Sequence, residues 1–351
     1  MSSNKRVFWA CSAVAFCTHG LQLTAGPGGT AGCLPAYGVQ SVGITTNFNL
    51  EQVFELGQIA IYENVEEVPD IEVTIEKVLD GEPLLYDLAT LGGTGAVVNM
   101  TNRANDRKDV WFTIQDETTN FVEDIGTNVY MSGMYVSSFS YTLPNEGNCT
   151  ESITLVGNDK LWKTGIGAID ANELDDHVMG ANGWDTLDFG ASPGQDTPGH
   201  VTGVQRRENV VLASSKIPTD IWGVTTNNVG GANNANVHLV SITMSADLGR
   251  EAINELGTKL PYYRYVTYPI EVSCDIEVTT VSGDLVDASS KYDNLANQAI
   301  LVVMSDSTTF DLGTINKLSS VTYTGGSTGG ENATVTYSYQ GFNEFEVNGP
   351  A

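Results

Sequence analysis

The stretch Ile71-Glu72-Val73-Thr74-Ile75-Glu76 alternates β-branched apolar residues with polar ones. This period of two is typical of a β-strand with one buried and one solvated face. Similar segments, rich in Val, Ile, Thr, Tyr and Phe, recur between turns of Gly, Asn and Asp. They span residues 109–115, 129–143, 237–244, 262–280, 318–324 and 333–339. The pattern predicts a mainly β fold whose last two segments form a C-terminal β-hairpin.

The clearest helical pattern covers residues 248–259. Asp247 is a candidate N-cap, apolar residues recur every four positions, and Pro261 blocks continuation of the helix. A second, short helix is predicted within 83–91, where four leucines cluster. One helix flanking a β core is therefore expected, with a smaller one beside it.

The 351 residues are enough for one large β domain or for two domains. Between about 157 and 236 the chain becomes rich in Gly, Asn and Asp and loses its periodicity, which predicts a loop-rich insertion or outer domain. The predicted division is a core in two parts, 1–156 and 237–351, interrupted by 157–236. No repeat with a period of 20 to 50 residues is visible.

The charge balance excludes several classes of function. The chain has 43 Asp and Glu against 16 Lys and Arg, a formal net charge of −27. Strong binding of nucleic acid depends on Lys and Arg contacts with phosphates, so nucleic-acid binding and anionic membranes are both disfavoured. Residues 7–76 contain no Lys or Arg but eight acids: Glu51, Glu55, Glu63, Glu66, Glu67, Asp70, Glu72 and Glu76.

The five cysteines are few and widely spaced, and no CxxC pair occurs. We expect reduced thiols in a protein made in a cytosol. The apolar run 7–17 superficially resembles a signal peptide, but Phe16 stands where a cleavage site needs small residues. A buried first strand is the favoured interpretation of this run.

Catalytic and metal-binding patterns are weak throughout. Ser192 and Ser327 lie in G-x-S-x-G matches, but Pro193 removes one backbone N–H and the second match falls between two predicted strands. Both matches are interpreted as chance turns. The four histidines are scattered with no ligand spacing. We predict no enzyme activity, no metal site and no cofactor.

Several segments resemble the tail tube (major tail) proteins of tailed bacteriophages. They are residues 38–43, 46–58, 71–81, 249–257 and the end of the chain from 311 to 337. The resemblance leaves out most of 157–236. It implies a β-sandwich or barrel core flanked by a helix, with subunits packed into rings of six. The rings would stack into a tube through which the genome passes, located in the virion tail and assembled in the host cytoplasm.

By this resemblance, the eight acids of 51–76 are candidates for the channel wall or for a hairpin that grips the next ring. Arg250, Glu251, Glu255 and Lys259 are candidate subunit contacts. The implied partners are other copies of the chain and other tail proteins such as a terminator, a baseplate or a sheath. Viral DNA would pass without specific binding. The alternatives are a secreted β-rich adhesin or lectin-like protein, and another virion component such as a capsid or baseplate protein.

Overall fold

The computed structural model describes 13 parts of the chain. They are residues 12–19, 33–57, 59–90, 100–114, 127–164, 203–212, 218, 221, 237–280, 283–284, 286–288, 295–326 and 332–350.

Nearly all regular structure in these residues is β, which confirms the predicted fold class. The strands are β1 (Ser12–Thr18), β2 (Cys33–Pro35), β3 (Val39–Asn47), β4 (Leu50–Phe54), β5 (Ile61–Glu66), β6 (Asp70–Val78), β7 (Arg107–Ile114), β8 (Thr127–Pro144), β9 (Thr150–Gly157), β10 (Asp159–Thr164), β11 (Val210–Leu212), β12 (Val237–Asp247), β13 (Arg250–Ile253), β14 (Tyr263–Val266), β15 (Glu271–Thr280), β16 (Leu301–Met304), β17 (Thr309–Asp311), β18 (Lys317–Thr324), β19 (Thr334–Phe342) and β20 (Glu346–Asn348). The two short helices are α1 (Leu85–Thr90) and α2 (Met100–Arg103).

The main sheet is antiparallel and its eight central strands run in the order β3-β6-β9-β8-β12-β15-β19-β18. The first half of the long strand β8 extends beyond β12 and pairs instead with β7, which leads to β1 and β2. Strand β10 continues β9 along the other side of β8. Within the described residues, β3 and β18 each have a partner on one side only, so the sheet is open.

A smaller sheet, β11-β16-β17-β20, packs against one face of the main sheet. Aromatic side chains fill the space between them. The ring of Tyr141 on β8 lies 4.6 Å from that of Phe310 on β17, and Phe139 stacks on Phe345 at 5.4 Å. Two sheets sharing one aromatic and aliphatic core form a β-sandwich.

The buried carboxylate of Glu151 on β9 organises the start of α1. It accepts hydrogen bonds from the backbone N–H groups of Leu85 (2.6 Å) and Tyr86 (2.9 Å) and from the hydroxyl of Tyr141 (2.9 Å). Burial raises the pKa of the Glu151 carboxyl to about 7, although these hydrogen bonds and the nearby Lys77 favour ionisation. Ionisation of the Glu151 carboxyl therefore destabilises the folded state.

This raised pKa predicts a specific pH dependence of stability. Between pH 4.5 and about 7 the unfolded chain releases a proton that folded Glu151 retains, so stability falls as the pH rises through this window. The loss is on the order of 3 kcal/mol at 1.36 kcal/mol per pKa unit. Glu151→Gln removes the titration. Urea unfolding should show that the wild type loses about 3 kcal/mol more stability than this variant between pH 4.5 and 7, whereas parallel curves would contradict the assignment.

The predicted helix over 248–259 is wrong. Residues Arg250–Ile253 form β13, which pairs with β14 in an antiparallel hairpin. Asp247 accepts a hydrogen bond from the N–H of Gly249 (2.9 Å) and so closes a local turn instead of capping a helix. Gly257, with φ of +95°, makes the hairpin turn. The leucine spacing gave a false signal because Leu248 is buried while Leu256 is fully exposed. The short helix predicted within 83–91 is confirmed as α1.

Two predictions about the first strand have different outcomes. The buried strand is confirmed over Ser12–Thr18, since residues 13–17 are buried. The expectation of reduced thiols holds for Cys149 and Cys274 but is wrong for Cys17, which is disulfide-bonded. Cys33 lies directly opposite Cys17 in the β1–β2 ladder. This proximity arises from strand pairing, so a search for closely spaced cysteines could not find it.

Most of the predicted insertion, 157–236, lies outside the described residues, as do Ser192 and Ser327. Its two longer described parts belong to the core. Residues 159–164 pair with β8, so the predicted border at 157 falls within the main sheet. Gln205 is fully buried and its backbone bridges the carbonyl of Leu79 and the N–H of Cys149.

Candidate functional site: a polar sheet face and two projecting arms

The face of the eight central strands that points away from the core consists mainly of small hydroxyl and acidic side chains. We call it the polar face. Directly paired residues share a face of an antiparallel sheet, so the ladder registers identify its members. Its hydroxyl residues include Ser41, Thr45, Thr74, Ser138, Ser140, Thr142, Thr150, Ser152, Thr154, Ser241, Thr243, Ser245, Ser273, Thr279, Thr334, Thr336, Ser338, Ser320, Thr322 and Thr324.

The charges of the polar face are nearly all negative. Its acids are Asp70, Glu72, Glu76, Asp247, Glu271, Asp275 and Glu277, and Lys317 at one edge is its single Lys or Arg among the described residues. Glu76 accepts a hydrogen bond from the hydroxyl of Ser41 (3.3 Å), and Glu277 accepts one from Ser241 (3.1 Å). Short hydroxyl side chains and carboxylates produce a smooth, hydrated surface with almost no cation.

Two hairpins extend from the same end of the main sheet. The first arm, β4–β5, connects β3 to β6, and the second arm, β13–β14, connects β12 to β15. Every residue of β4 and β5 is exposed, and Leu56, Ile59 and Leu256 near the tips are fully exposed. Exposed apolar tips on polar hairpins are typical of contact surfaces.

The two arms are joined at their bases. The guanidinium of Arg264 on β14 contacts the carboxylate of Asp70 (2.7 Å) and the side-chain oxygen of Asn158 (3.1 Å). Asn49 donates a second hydrogen bond to Asp70 (3.0 Å). Partial burial opposes ionisation of Asp70, but the hydrogen bonds from Asn49 and Arg264 outweigh it and lower the pKa of the carboxyl.

The structure distributes the eight predicted acids over three places. Glu72 and Glu76 lie on the polar face and are exposed. Asp70 lies on the same face, at the arm base. The other five belong to the first arm, all exposed: Glu51, Glu55, Glu63, Glu66 and Glu67.

The four predicted interface residues lie on the second arm, but one contacts its own chain and the other three are exposed. Arg250 is half-buried, and its guanidinium donates to the carbonyls of Val136 (2.7 Å) and Ala104. Burial lowers its pKa to about 10. Arg250 therefore holds the second arm against the rest of the same chain. Glu251, Glu255 and Lys259 are exposed and stay candidate contacts.

Four acids of the polar face were not predicted as site residues: Asp247, Glu271, Asp275 and Glu277. They lie outside the stretch 7–76, whose lack of Lys and Arg drew attention to the other acids. A usable signal was nonetheless present. Ser and Thr alternate with apolar residues in 138–143, 241–246 and 334–339, and with Glu151, Ile153 and Leu155 in 150–155, which places hydroxyls on one face of each strand.

No family model matches the chain, and no curated protein matches it. Two solved structures are weakly similar. A chain of the anti-feeding prophage baseplate, 6-fold symmetrised, aligns over 47% of this chain and 98% of its own length, with 12% identity and a TM-score of 0.33. A chain of the cap that terminates the tube of that prophage aligns over 47% and 95%, with 12% identity and a TM-score of 0.32. Both neighbours belong to the anti-feeding prophage, and the likeness is coarse.

Among the described residues, no group of three His, Cys, Asp or Glu side chains could hold a metal ion. The helices of the same residues are too short to span a membrane.

Proposed function

We propose that this protein is a self-assembling structural subunit of a phage-type tail tube, whose polar face lines a channel for DNA. The observation that carries the proposal is a wide hydroxyl and acidic sheet face, bounded within the described residues by two strands that each have a partner on one side only. A β-sheet with such edges can extend by pairing with the next copy, and repeated pairing closes into a ring.

Within the described residues, the edge strands have few charges and no prolines to oppose pairing. Monomeric β proteins protect their edges with charges, prolines or covering loops. Strand β3 contains no charged residue and no proline, and β18 contains Lys317 alone. Nine-residue β3 and eight-residue β18 are also matched in length.

Strand direction also permits closure. The eight central strands alternate in direction from β3 to β18, so the first and last strands are antiparallel. When copies are related by rotation about one axis, β18 of one copy reaches β3 of the next in antiparallel orientation. The hydrogen-bonding pattern then continues across every junction.

The chemistry of the polar face suits the passage of duplex DNA. The duplex carries a negative charge about every 1.7 Å, so each cation on a channel wall would be a binding site. Carboxylates repel the phosphates and keep the DNA centred. Screening over about 8 Å in physiological salt smooths this repulsion along the channel.

In this proposal the two arms supply contacts between stacked rings. Their exposed apolar tips would be covered by the neighbouring ring, and the five acids of the first arm with Glu251, Glu255 and Lys259 would set the orientation. Other tail proteins would bind the ends of the tube. The subunit would assemble in the host cytoplasm and function in the virion tail.

Charge reversal on the polar face is expected to convert an inert channel into a DNA-binding one. Glu76→Lys with Glu277→Lys changes the face by four charges per copy without altering either strand edge. Assembled variant protein should retain a duplex oligonucleotide at about 50 mM salt and lose most of it at about 200 mM, as phosphate contacts predict. The matched control is Glu76→Gln with Glu277→Gln. Equal retention by the wild type and the lysine variant would contradict a channel role for this face.

Electron microscopy of the purified protein across a concentration series tests the proposal itself. Rings or hollow tubes should appear above a threshold concentration. A monodisperse monomer at every concentration would overturn it.

A further inference from the structure

The eight central strands of the main sheet form two units with the same topology. The first unit is β3, the first arm, β6, β8 and β9, and the second is β12, the second arm, β15, β18 and β19. In space their strands run β3-β6-β9-β8 and then β12-β15-β19-β18, which is the same order placed side by side. The final pair in each unit, β8–β9 and β18–β19, is a hairpin.

The sequences of the two arm regions correspond at a separation of 200 residues. Between 39–69 and 239–269, without gaps, seven of 31 positions are identical. They are Ser41/Ser241, Glu51/Glu251, Glu55/Glu255, Leu56/Leu256, Gly57/Gly257, Tyr62/Tyr262 and Pro69/Pro269. The arm ladders keep the same separation, since Glu51 pairs with Val65 and Glu251 with Tyr265.

Irregularities of the two units coincide as well. β3 has a bulge between Val39 and Ser41, and β12 has one between Leu239 and Ser241. β8 and β18 also have matching bulges, between 136 and 138 and between 318 and 320, a separation of 182. The hydrogen bonds from Ser41 to Glu76 and from Ser241 to Glu277 are equivalent. Bulges fix strand register, so the two units can be aligned residue by residue.

The units meet inside the chain where β8 pairs with β12. There Ser140 lies opposite Ser245, and Thr142 lies opposite Thr243. From this internal junction we infer that β18 of one copy pairs with β3 of the next copy in the same register. This inference rests on the proposed tube function and specifies how its ring closes. A residue of β8 corresponds to the residue of β18 that lies 182 positions later, and a residue of β3 corresponds to the residue of β12 that lies 200 positions later. The internal pair Ser140–Ser245 therefore places Thr322 of one copy opposite Thr45 of the next copy.

Side chains on the two edge strands are less buried than their counterparts at the internal junction, which indicates that a neighbouring strand is missing at these edges. Tyr323 corresponds to Tyr141, which is fully buried, yet Tyr323 is 51% exposed. Ile44 corresponds to the fully buried Met244 but is half-buried. In the inferred register Ile44 of the next copy lies opposite Tyr323, so the pairing buries both side chains.

Each chain supplies two four-stranded units. In a closed ring, an internal junction would therefore alternate with each junction between chains.

A cysteine pair tests the register directly. Thr45→Cys with Thr322→Cys places the two Cα atoms within the roughly 4.4–6.8 Å that a disulfide spans, but only between copies. Within one chain, β3 and β18 are seven strand spacings apart, about 34 Å along the sheet. Mild oxidation above the assembly threshold should convert most of the protein into a non-reducing gel ladder that ends at one size, the number of chains in a closed ring.

Two matched pairs serve as controls. Ser140→Cys with Ser245→Cys probes the equivalent internal junction and should form a disulfide within one chain. Thr45→Cys with Thr324→Cys is displaced by two residues, to a diagonal separation of about 7–8 Å, and should crosslink at least ten times less.

The outcomes separate this inference from the proposed function. Tubes in the microscope with no crosslink at 45 and 322, or with preferred crosslinking of the displaced pair, would overturn the register while leaving the tube intact. A ladder that continues without an upper limit would overturn closure of the pairing into a ring. Absence of both tubes and crosslinks would overturn the proposed function together with the inference.

Discussion

Replacing Arg103 by alanine is expected to lower the free energy of unfolding by about 3–5 kcal/mol, the usual cost of breaking a buried ion pair. Arg103 is 1% exposed. Its guanidinium donates to the carboxylate of Asp87, to the hydroxyl of Thr90 (2.9 Å) and to the carbonyl of Val347 (3.3 Å). It also lies 4.3 Å from the ring centroid of Tyr86. One side chain thus connects α2, α1 and the C-terminal strand.

The alanine variant leaves Asp87 buried without its partner. Burial raises the pKa of the Asp87 carboxyl, and Arg103 partly offsets this rise. Removing Arg103 therefore raises that pKa further. Urea unfolding at pH 7 gives the change in stability. The exposed Arg206→Ala is the control and should change stability by less than about 0.5 kcal/mol. Arg103→Met with Asp87→Leu should recover part of the loss, and an unchanged stability of Arg103→Ala would contradict the assignment.

Tyr323→Asp is expected to prevent assembly while leaving the subunit folded. In the isolated chain this side chain on β18 is half exposed, so a carboxylate there remains hydrated. In the proposed ring it would be buried at each junction without a partner, at a cost of several kcal/mol. An effect of about 3 kcal/mol raises the threshold concentration roughly 100-fold.

Sedimentation across a concentration series measures this threshold, and near-ultraviolet circular dichroism reports on the fold. Tyr323→Phe keeps the apolar ring and should assemble like the wild type. If Tyr323→Asp assembles at the wild-type concentration, β18 is not a junction between copies.

The strands could be predicted from the sequence because their signal is local. Ile71, Val73 and Ile75 alternate with polar residues, and the same alternation identified β8, β12, β15 and both strands of the C-terminal hairpin. The second arm could not be separated from a helix in this way. Leu248, Ala252 and Leu256 have helical spacing, and only the pairing of β13 with β14 shows that they do not share a buried face.

The candidate site required contacts that are distant in sequence. Glu76 and Glu277 are 201 residues apart, and they share one face because the two units lie side by side in one sheet. A search for repeats of 20 to 50 residues could not detect a unit that recurs after about 200. The eight acids of 51–76 were conspicuous in the sequence because no cation separates them, but this run does not show which of them lie on the polar face.

A high-resolution electron cryomicroscopy map of the assembled protein would show whether the polar face lines a channel. We expect a hollow tube whose inner wall carries Glu76 and Glu277, with β3 of each copy paired to β18 of its neighbour. A tube with these acids on its outer surface, or an assembly in which β3 and β18 remain unpaired, would contradict this expectation.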